Sequence, residues 1–227
     1  MQSSPNHIVI FSHGFGVTKT DRGLFTAIDR TLPDTMGVMF DYNPINEKSN
    51  TITAKQLPEQ ALKLRKVINN LRAEYPNAVL DLVCHSQGCV VAGILKPRDI
   101  RKIIMIAPPE DVSEATLIEQ FGTRKGIEID VSVRTRLARS DGSTTVIHPE
   151  YWQSLAGIEP VSLYNRLARF TQLRIINARQ DQVLGAVSFK ELDPTISAVT
   201  LDGNHDFDDE EARNRLLYIL KKELALD

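Results

Sequence analysis

Cysteine is scarce in this 227-residue chain, which carries only Cys84 and Cys89. Two cysteines build no disulfide framework, and their spacing fits no zinc motif. They lie in a run that reads as strand then helix, where bridging them would demand distorted geometry. Both are read as reduced thiols, which suits a cytoplasmic protein. An excess of charge is missing too. The 27 basic residues stand against 29 acidic ones, for a formal net charge of −2. That balance leaves no electrostatic footprint for nucleic acid. No apolar run approaches the ~18 residues of a membrane span. The opening "MQSSPNHIVIFSHGF" has no basic leader, and its apolar stretch is too short for a signal peptide. The expectation is a soluble protein, not exported and without membrane insertion. No phosphate-binding loop or metal-ligand cluster appears, so no cofactor or metal is implied.

What is present is a rhythm. Short apolar runs, "HIVIF" (7 to 11), "GVMFDY" (37 to 42), "AVLDLVC" (78 to 84), "KIIMIA" (102 to 107), "LRIINA" (173 to 178) and "ISAVTL" (196 to 201), are rich in β-branched residues and bounded by turn residues. They read as strands buried on both faces. Helical patterns lie between them. Leu57, Ala61, Leu64, Ile68, Leu71 and Tyr75 recur at steps of three and four. The last segment opens "DDEE" and closes with Lys221 and Lys222, the charge order that suits a helix dipole. Strand and helix alternating in this way predict an α/β fold, a doubly wound and mainly parallel sheet of about six strands.

The rhythm breaks once. Residues 110–172 separate two strands by more than one crossover needs. The stretch holds a helical pattern near 113 to 121, two strands around Asp141-Gly142, and further helical patterns near 149 to 157 and 161 to 170. It is read as a cap lobe inserted into a core formed by 1–109 and 173–227.

Polar clusters fall where the strands end, and ligands of open α/β sheets bind at those ends. "SHGFG" follows the first strand, "CHSQG" the third, "ARQDQV" the fifth and "DGNHDF" the sixth. In chain order they supply a serine, an acid and a histidine: Ser86, Asp181 and His205. A serine hydroxyl becomes a useful nucleophile when an imidazole takes its proton and a carboxylate holds that imidazole in one tautomer. Taken singly, Ser86 also fits a helix N-cap, Asp181 a helix cap and His205 a loop histidine. Asp193 and Asp202 are weaker choices of acid. His13 is expected to brace its loop, His85 to pack beside the turn, and Asp206, Asp208 and Asp209 to cap the last helix.

"CHSQG" resembles the nucleophile elbow of the α/β-hydrolase fold, and "HGFG" resembles that fold's oxyanion loop. The order Ser, Asp, His matches as well. The resemblance implies Ser86 as nucleophile, Asp181 as orienting acid and His205 as base. The backbone N–H groups of Phe15 and Gln87 would be the oxyanion donors. Cys84 stands where the elbow usually has its first glycine, a place that demands a small residue. The family's early antiparallel strands are not expected here, since "HIVIF" starts almost at once. By analogy with small carboxylesterases, including cinnamoyl and feruloyl esterases and monoacylglycerol-lipase relatives, the implied partner is a small-molecule ester. Thioester, lactone and carbon–carbon bond cleavage occur on the same scaffold, as do ligand sensors with slow turnover.

The lobe is expected to choose the substrate. Trp152, Tyr151, Leu155 and Phe121 fit either an apolar substrate pocket, with Phe15 below it, or the lobe's own core. Arg134 and Arg136 read as a solvated strand face opposite Val133 and Leu137.

Overall fold

The computed structural model describes residues 4–126, 128–139 and 141–226. Six strands lie side by side: β1 (His7–Ser12), β2 (Met36–Met39), β5 (Val79–His85), β6 (Lys102–Ile106), β9 (Gln172–Ala178) and β10 (Ser197–Leu201). Their order is β10-β9-β6-β5-β1-β2, and every neighbouring pair is parallel. Each of the six apolar runs thus forms a strand of one sheet. The side-chain period of two explains why both faces are apolar. In β1, Ile8 and Ile10 enter one core, while Val9 and Phe11 enter the other.

The second of these cores lies under α1 (Leu24–Arg30) and α7 (Glu210–Leu224), through Phe25, Ile28, Leu216 and Leu220. The first lies under α2 (Leu57–Glu74) and α3 (Gln87–Leu95). The buried stripe of α2 contains Leu57, Ala61, Leu64, Ile68 and Leu71, as its spacing predicts. Asp209 caps α7 by accepting the Glu211 and Ala212 N–H groups, and Lys221 and Lys222 lie in its last turn. Among the described residues, no helix is long and apolar enough to cross a membrane.

The stretch 110–172 divides in two. Its last helix, α6 (Pro160–Ala168), packs on α3: a Cβ added at Gly93 would lie 2.9 Å from Leu163 Cβ. It is therefore the crossover that parallel β6 and β9 require, and part of the core's helix layer. This corrects its reading as lobe. The remainder comprises α4 (Glu114–Lys125), a hairpin and α5 (Pro149–Gln153). The hairpin pairs β7 (Thr135–Ala138) with β8 (Thr144–Ile147), and Gly142 takes the left-handed turn conformation at φ 81°. Ile127 and Ser140, which fall in this expected two-stranded stretch, lie outside the described residues.

Two such short strands are marginal alone. They are completed from outside the lobe by β3 (Ile45–Asn46) and β4 (Thr51–Ala54), in a second sheet ordered β3-β4-β8-β7. Arg134 and Arg136 are exposed and Leu137 is buried, but Val133 is exposed rather than turned inward.

Candidate active site

The turn after β5 is built around Ser86, whose backbone sits at φ 52° and ψ −125°. A positive φ on a residue with a Cβ costs of order ~1–3 kcal/mol, and such strain concentrates at working sites. Its N–H donates to the Ile106 carbonyl (2.9 Å), and its carbonyl accepts from Cys89 N–H (3.0 Å). The hydroxyl makes no capping bond to α3, which disposes of the N-cap alternative. Gly88 is demanded by crowding, because a Cβ there would lie 2.1 Å from the Ser12 carbonyl oxygen. Cys84 and Cys89 are fully buried free thiols, and burial pushes both thiol pKa values up.

Asp181 follows β9 and His205 follows β10, and the strand order brings them together. His205 Nδ1 lies 2.7 Å from Asp181 Oδ2, with both side chains buried. Asp181 Oδ1 accepts two backbone N–H groups, from Val183 and Leu184, at 2.8 Å each. Burial pushes this carboxyl up, but the His205 bond and the two N–H groups outweigh it and hold its pKa below the ordinary value. Nδ1 facing a carboxylate carries the proton, so Nε2 is left with its lone pair. Asp193 and Asp202 are placed elsewhere: Asp193 binds Thr195, and Asp202 pairs with Arg179 and Arg215.

The loop after β1 approaches Ser86 from the other side. A Cβ on Gly14 would come within 3.2 Å of Ser86 Cβ. His13 braces this loop, accepting Tyr42 N–H at Nε2 (3.0 Å) and reaching the Gly14 carbonyl from Nδ1 (2.9 Å). Burial lowers its pKa, outweighing the pull of Asp21. Phe15 is fixed by stacking on Phe121 (ring centroids 5.1 Å apart) and by Arg139 Nη2 donating to its carbonyl (3.1 Å). Among the described hydrogen bonds, neither Phe15 N–H nor Gln87 N–H finds a protein acceptor.

Ser86 and His205 open into one cavity of about 80 Å³, with Asp181 behind His205. Its apolar wall includes Phe15, Leu117, Phe121, Tyr151 and Leu155. Tyr151 Oη donates to Gln87 Oε1 (2.5 Å), and Gln87 Nε2 donates to Gln60 Oε1 (3.1 Å), tying the lobe to the elbow.

Trp152 does not reach this cavity. It is 2% exposed and lies behind the wall, edge-on to Phe121 (6.2 Å) and Tyr151 (5.7 Å). The helical geometry explains the correction: adjacent residues on α5 point in different directions, so Tyr151 faces the cavity and Trp152 the core. Trp152→Ala is therefore expected to cost about 3 kcal/mol or more, lowering Tm by roughly 6–12 °C for a chain of this size. The preference among acyl groups should change little. A melt together with an acyl-chain series checks this, and an unchanged Tm with an altered profile would return Trp152 to the pocket.

One contact network was not legible in the sequence. Asp21, in a turn before α1, accepts the Gly14 N–H (2.9 Å) and binds His85 Nδ1 (2.8 Å), while His85 Nε2 reaches the His205 carbonyl (3.0 Å). Nothing in "TKTDRGLF" separates Asp21 from a surface turn aspartate. Asp206 also departs from expectation, since it pairs with Arg22 (2.5 Å) instead of capping α7. Among the described residues, the one cluster with metal-ligand spacing is His85, His205 and Asp206. Both His85 nitrogens and His205 Nδ1 are already committed to protein partners, so the set suits a hydrogen-bond network better than a cation.

Comparison with known proteins places this architecture. Residues 37–117, which contain the elbow, match the family described as alpha/beta hydrolase. Among solved structures, Est1E from Butyrivibrio proteoclasticus is similar with a TM-score of 0.70 at 16% identity, covering 98% of this chain and 88% of its own. The esterase domain of a Rhodothermus marinus protein gives 0.68 at 17% identity, with coverage of 98% and 88%. The Pyrococcus furiosus esterase Pf2001 gives 0.66 at 15%, with coverage of 97% and 83%. No curated protein matches the sequence. The chain has the alpha/beta-hydrolase fold.

Proposed function

We propose that the protein is a serine hydrolase that cleaves carboxylic esters of small to medium acyl or aryl groups. The observation that carries this reading is the 2.7 Å His205–Asp181 bond behind a cavity that also holds the strained, uncapped Ser86. In the reaction, Ser86 Oγ attacks the ester carbonyl while His205 Nε2 takes its proton. The oxyanion forms between the N–H groups of Phe15 and Gln87, where fixed dipoles in a water-poor site act most strongly. His205 returns the proton to the departing alkoxide, leaving an acyl-Ser86 ester. Water then attacks that ester with His205 again as base, which releases the acid and restores the hydroxyl.

The stacked Phe15 and Phe121 rings favour flat or apolar acyl groups. One of the similar structures is Est1E with ferulic acid bound, which supports an aryl acid among the groups accepted. The buried, unbridged Cys84 and Cys89 support a cytoplasmic setting.

A panel of p-nitrophenyl esters of increasing chain length, aryl esters and thioesters, run beside fluorophosphonate labelling, tests the reading. Multiple turnover on oxygen esters is expected. Turnover confined to thioesters would make the protein a thioesterase, and labelling without turnover a ligand sensor.

A further inference from the structure

We propose that Asp21 and His85 form a buried positioning pair that sets the oxyanion loop and the loop bearing His205 against Ser86. This rests on the ester-hydrolase reading above. The pair touches three segments at once. Asp21 Oδ2 holds the Gly14 N–H, one peptide before the Phe15 donor. His85 precedes the nucleophile directly, and its Nε2 meets the backbone carbonyl of His205. Gly14 is wedged between the pair and the nucleophile, since an added Cβ would lie 3.6 Å from both Asp21 Oδ2 and His85 Nδ1 and 3.2 Å from Ser86 Cβ.

The partners fix the charge state. A carboxylate faces one ring nitrogen of His85 and a carbonyl faces the other, and both groups only accept. Both nitrogens therefore carry protons, and His85 is an imidazolium. Burial alone would push its pKa down, but Asp21 outweighs burial and raises it to about 9. The Asp21 carboxyl, pushed up by burial, is drawn down by His85 to about 2. Other charged or titratable groups near the ring are His13, His205 and Asp206.

The backbone around Asp21 is strained to make these contacts. Asp21, Arg22 and Gly23 are consecutive left-handed residues at φ 46°, 54° and 88°, and two of them carry a Cβ. The turn aims Asp21 inward to His85 and Arg22 outward to Asp206. It thus bridges twice to consecutive residues of the base loop, once through His85 to His205 and once directly to Asp206.

A buried ion pair is weak evidence for stability in itself, and this fold contains its own control. His7 Nε2 binds Asp81 Oδ2 at 2.8 Å, also buried, toward the amino ends of β1 and β5 and away from the cavity. Arg101 joins that pair as well. If the Asp21–His85 pair served stability alone, breaking either pair would have the same kind of effect.

The experiment compares Asp21→Asn, His85→Gln, their combination and the control His7→Gln. It measures kcat and KM per fluorophosphonate-titrated site on a p-nitrophenyl ester, with a melt of each variant. Displaced donors and base act in the transition state, so each single variant should lose about 10²-fold in kcat with KM within about 3-fold. The double variant should be no worse than the poorer single, as expected of residues acting as a unit. His7→Gln should lower Tm and leave kcat per site unchanged. Wild-type kcat in both singles, additive losses in the double, or an equal kcat loss in His7→Gln would overturn the proposal.

If neither single variant folds, Asp21→Glu decides, because it keeps the charge facing His85 but displaces the carboxylate that holds the Gly14 N–H. A lowered kcat in the folded variant supports the pair, and an unchanged kcat overturns it. Wild-type turnover that Ser86→Ala abolishes keeps the hydrolase reading standing whatever these variants show. Absence of wild-type turnover and labelling defeats that reading and the pair's role with it.

Discussion

Ser86→Ala is expected to lower ester hydrolysis by about 10⁶-fold and to abolish fluorophosphonate labelling, while Tm stays near that of the parent. The two halves of this outcome have separate causes. Activity falls because, among the described residues lining the cavity, Ser86 is the one serine, threonine or cysteine. Cys89 lies one turn further along α3, fully buried, with its thiol pKa raised by burial and its Sγ directed at the Ile106 carbonyl. Stability holds because the hydroxyl caps nothing. The backbone bonds of the turn, Ser86 N–H to Ile106 and Cys89 N–H to Ser86, survive the substitution. Alanine meets the same strain at φ 52° that serine does. Purified variant and parent assayed on one short p-nitrophenyl ester, with matched melts, check both halves. Near-parental turnover would end the serine mechanism, and a collapse in Tm would mean that the hydroxyl supports the elbow in a way its bonds do not reveal.

The inner strands β1, β5, β6 and β9 were legible because they are largely buried on both faces, whereas the edge strands β2 and β10 are partly exposed and so depart from that expectation. Ile8 through Phe11 are all 0% exposed, so the sequence must be apolar at every position, and such runs stand out. The site was legible where a local turn imposes residue types, as with Gly88 under the Ser12 carbonyl. The strand order then turned separated clusters into neighbours, with His205 on Asp181 and Ser86 on the same cavity.

What escaped depends on pairing across long separations. Strand β4 is four residues of Thr, Ile, Thr and Ala, and it is a strand because β8, about 90 residues later, offers an edge. Helix α6 looked like lobe by position and is core by its contact with Gly93. Tyr151 and Trp152 are equally aromatic, and only the rotation of α5 decides which one faces the cavity. Asp21 is 2% exposed in a segment of Thr, Lys and Arg. Its partner His85 lies 64 residues away, and no pattern of period two or 3.6 records such a pairing.

Asp181→Asn is expected to lower kcat by about 10⁴-fold, with KM and Tm close to parental values. The shape of the side chain is kept, so its environment dictates where the amide groups go. The Val183 and Leu184 N–H groups both point at Oδ1 and need an acceptor, which holds the amide oxygen there. The amide NH₂ must then occupy the place of Oδ2, 2.7 Å from His205 Nδ1. It donates where the carboxylate accepted, so Nδ1 gives up its proton and Nε2 takes one. An imidazole protonated at Nε2 offers Ser86 no lone pair. The loop keeps both of its backbone bonds, which is why the fold should not notice. The loss corresponds to about 5.5 kcal/mol of transition-state stabilisation, far above the ~1 kcal/mol of an ordinary neutral hydrogen bond. Steady-state kinetics of the variant beside a melt measure it. Retained activity would move the acid to another carboxylate, and the two weighed from the sequence stand badly placed. Asp193 is held by Thr195, and Asp202 lies between Arg179 and Arg215 at the surface. A fully active Asn variant would therefore argue that His205 is oriented by its backbone, through the carbonyl that His85 holds, and that the carboxylate is dispensable.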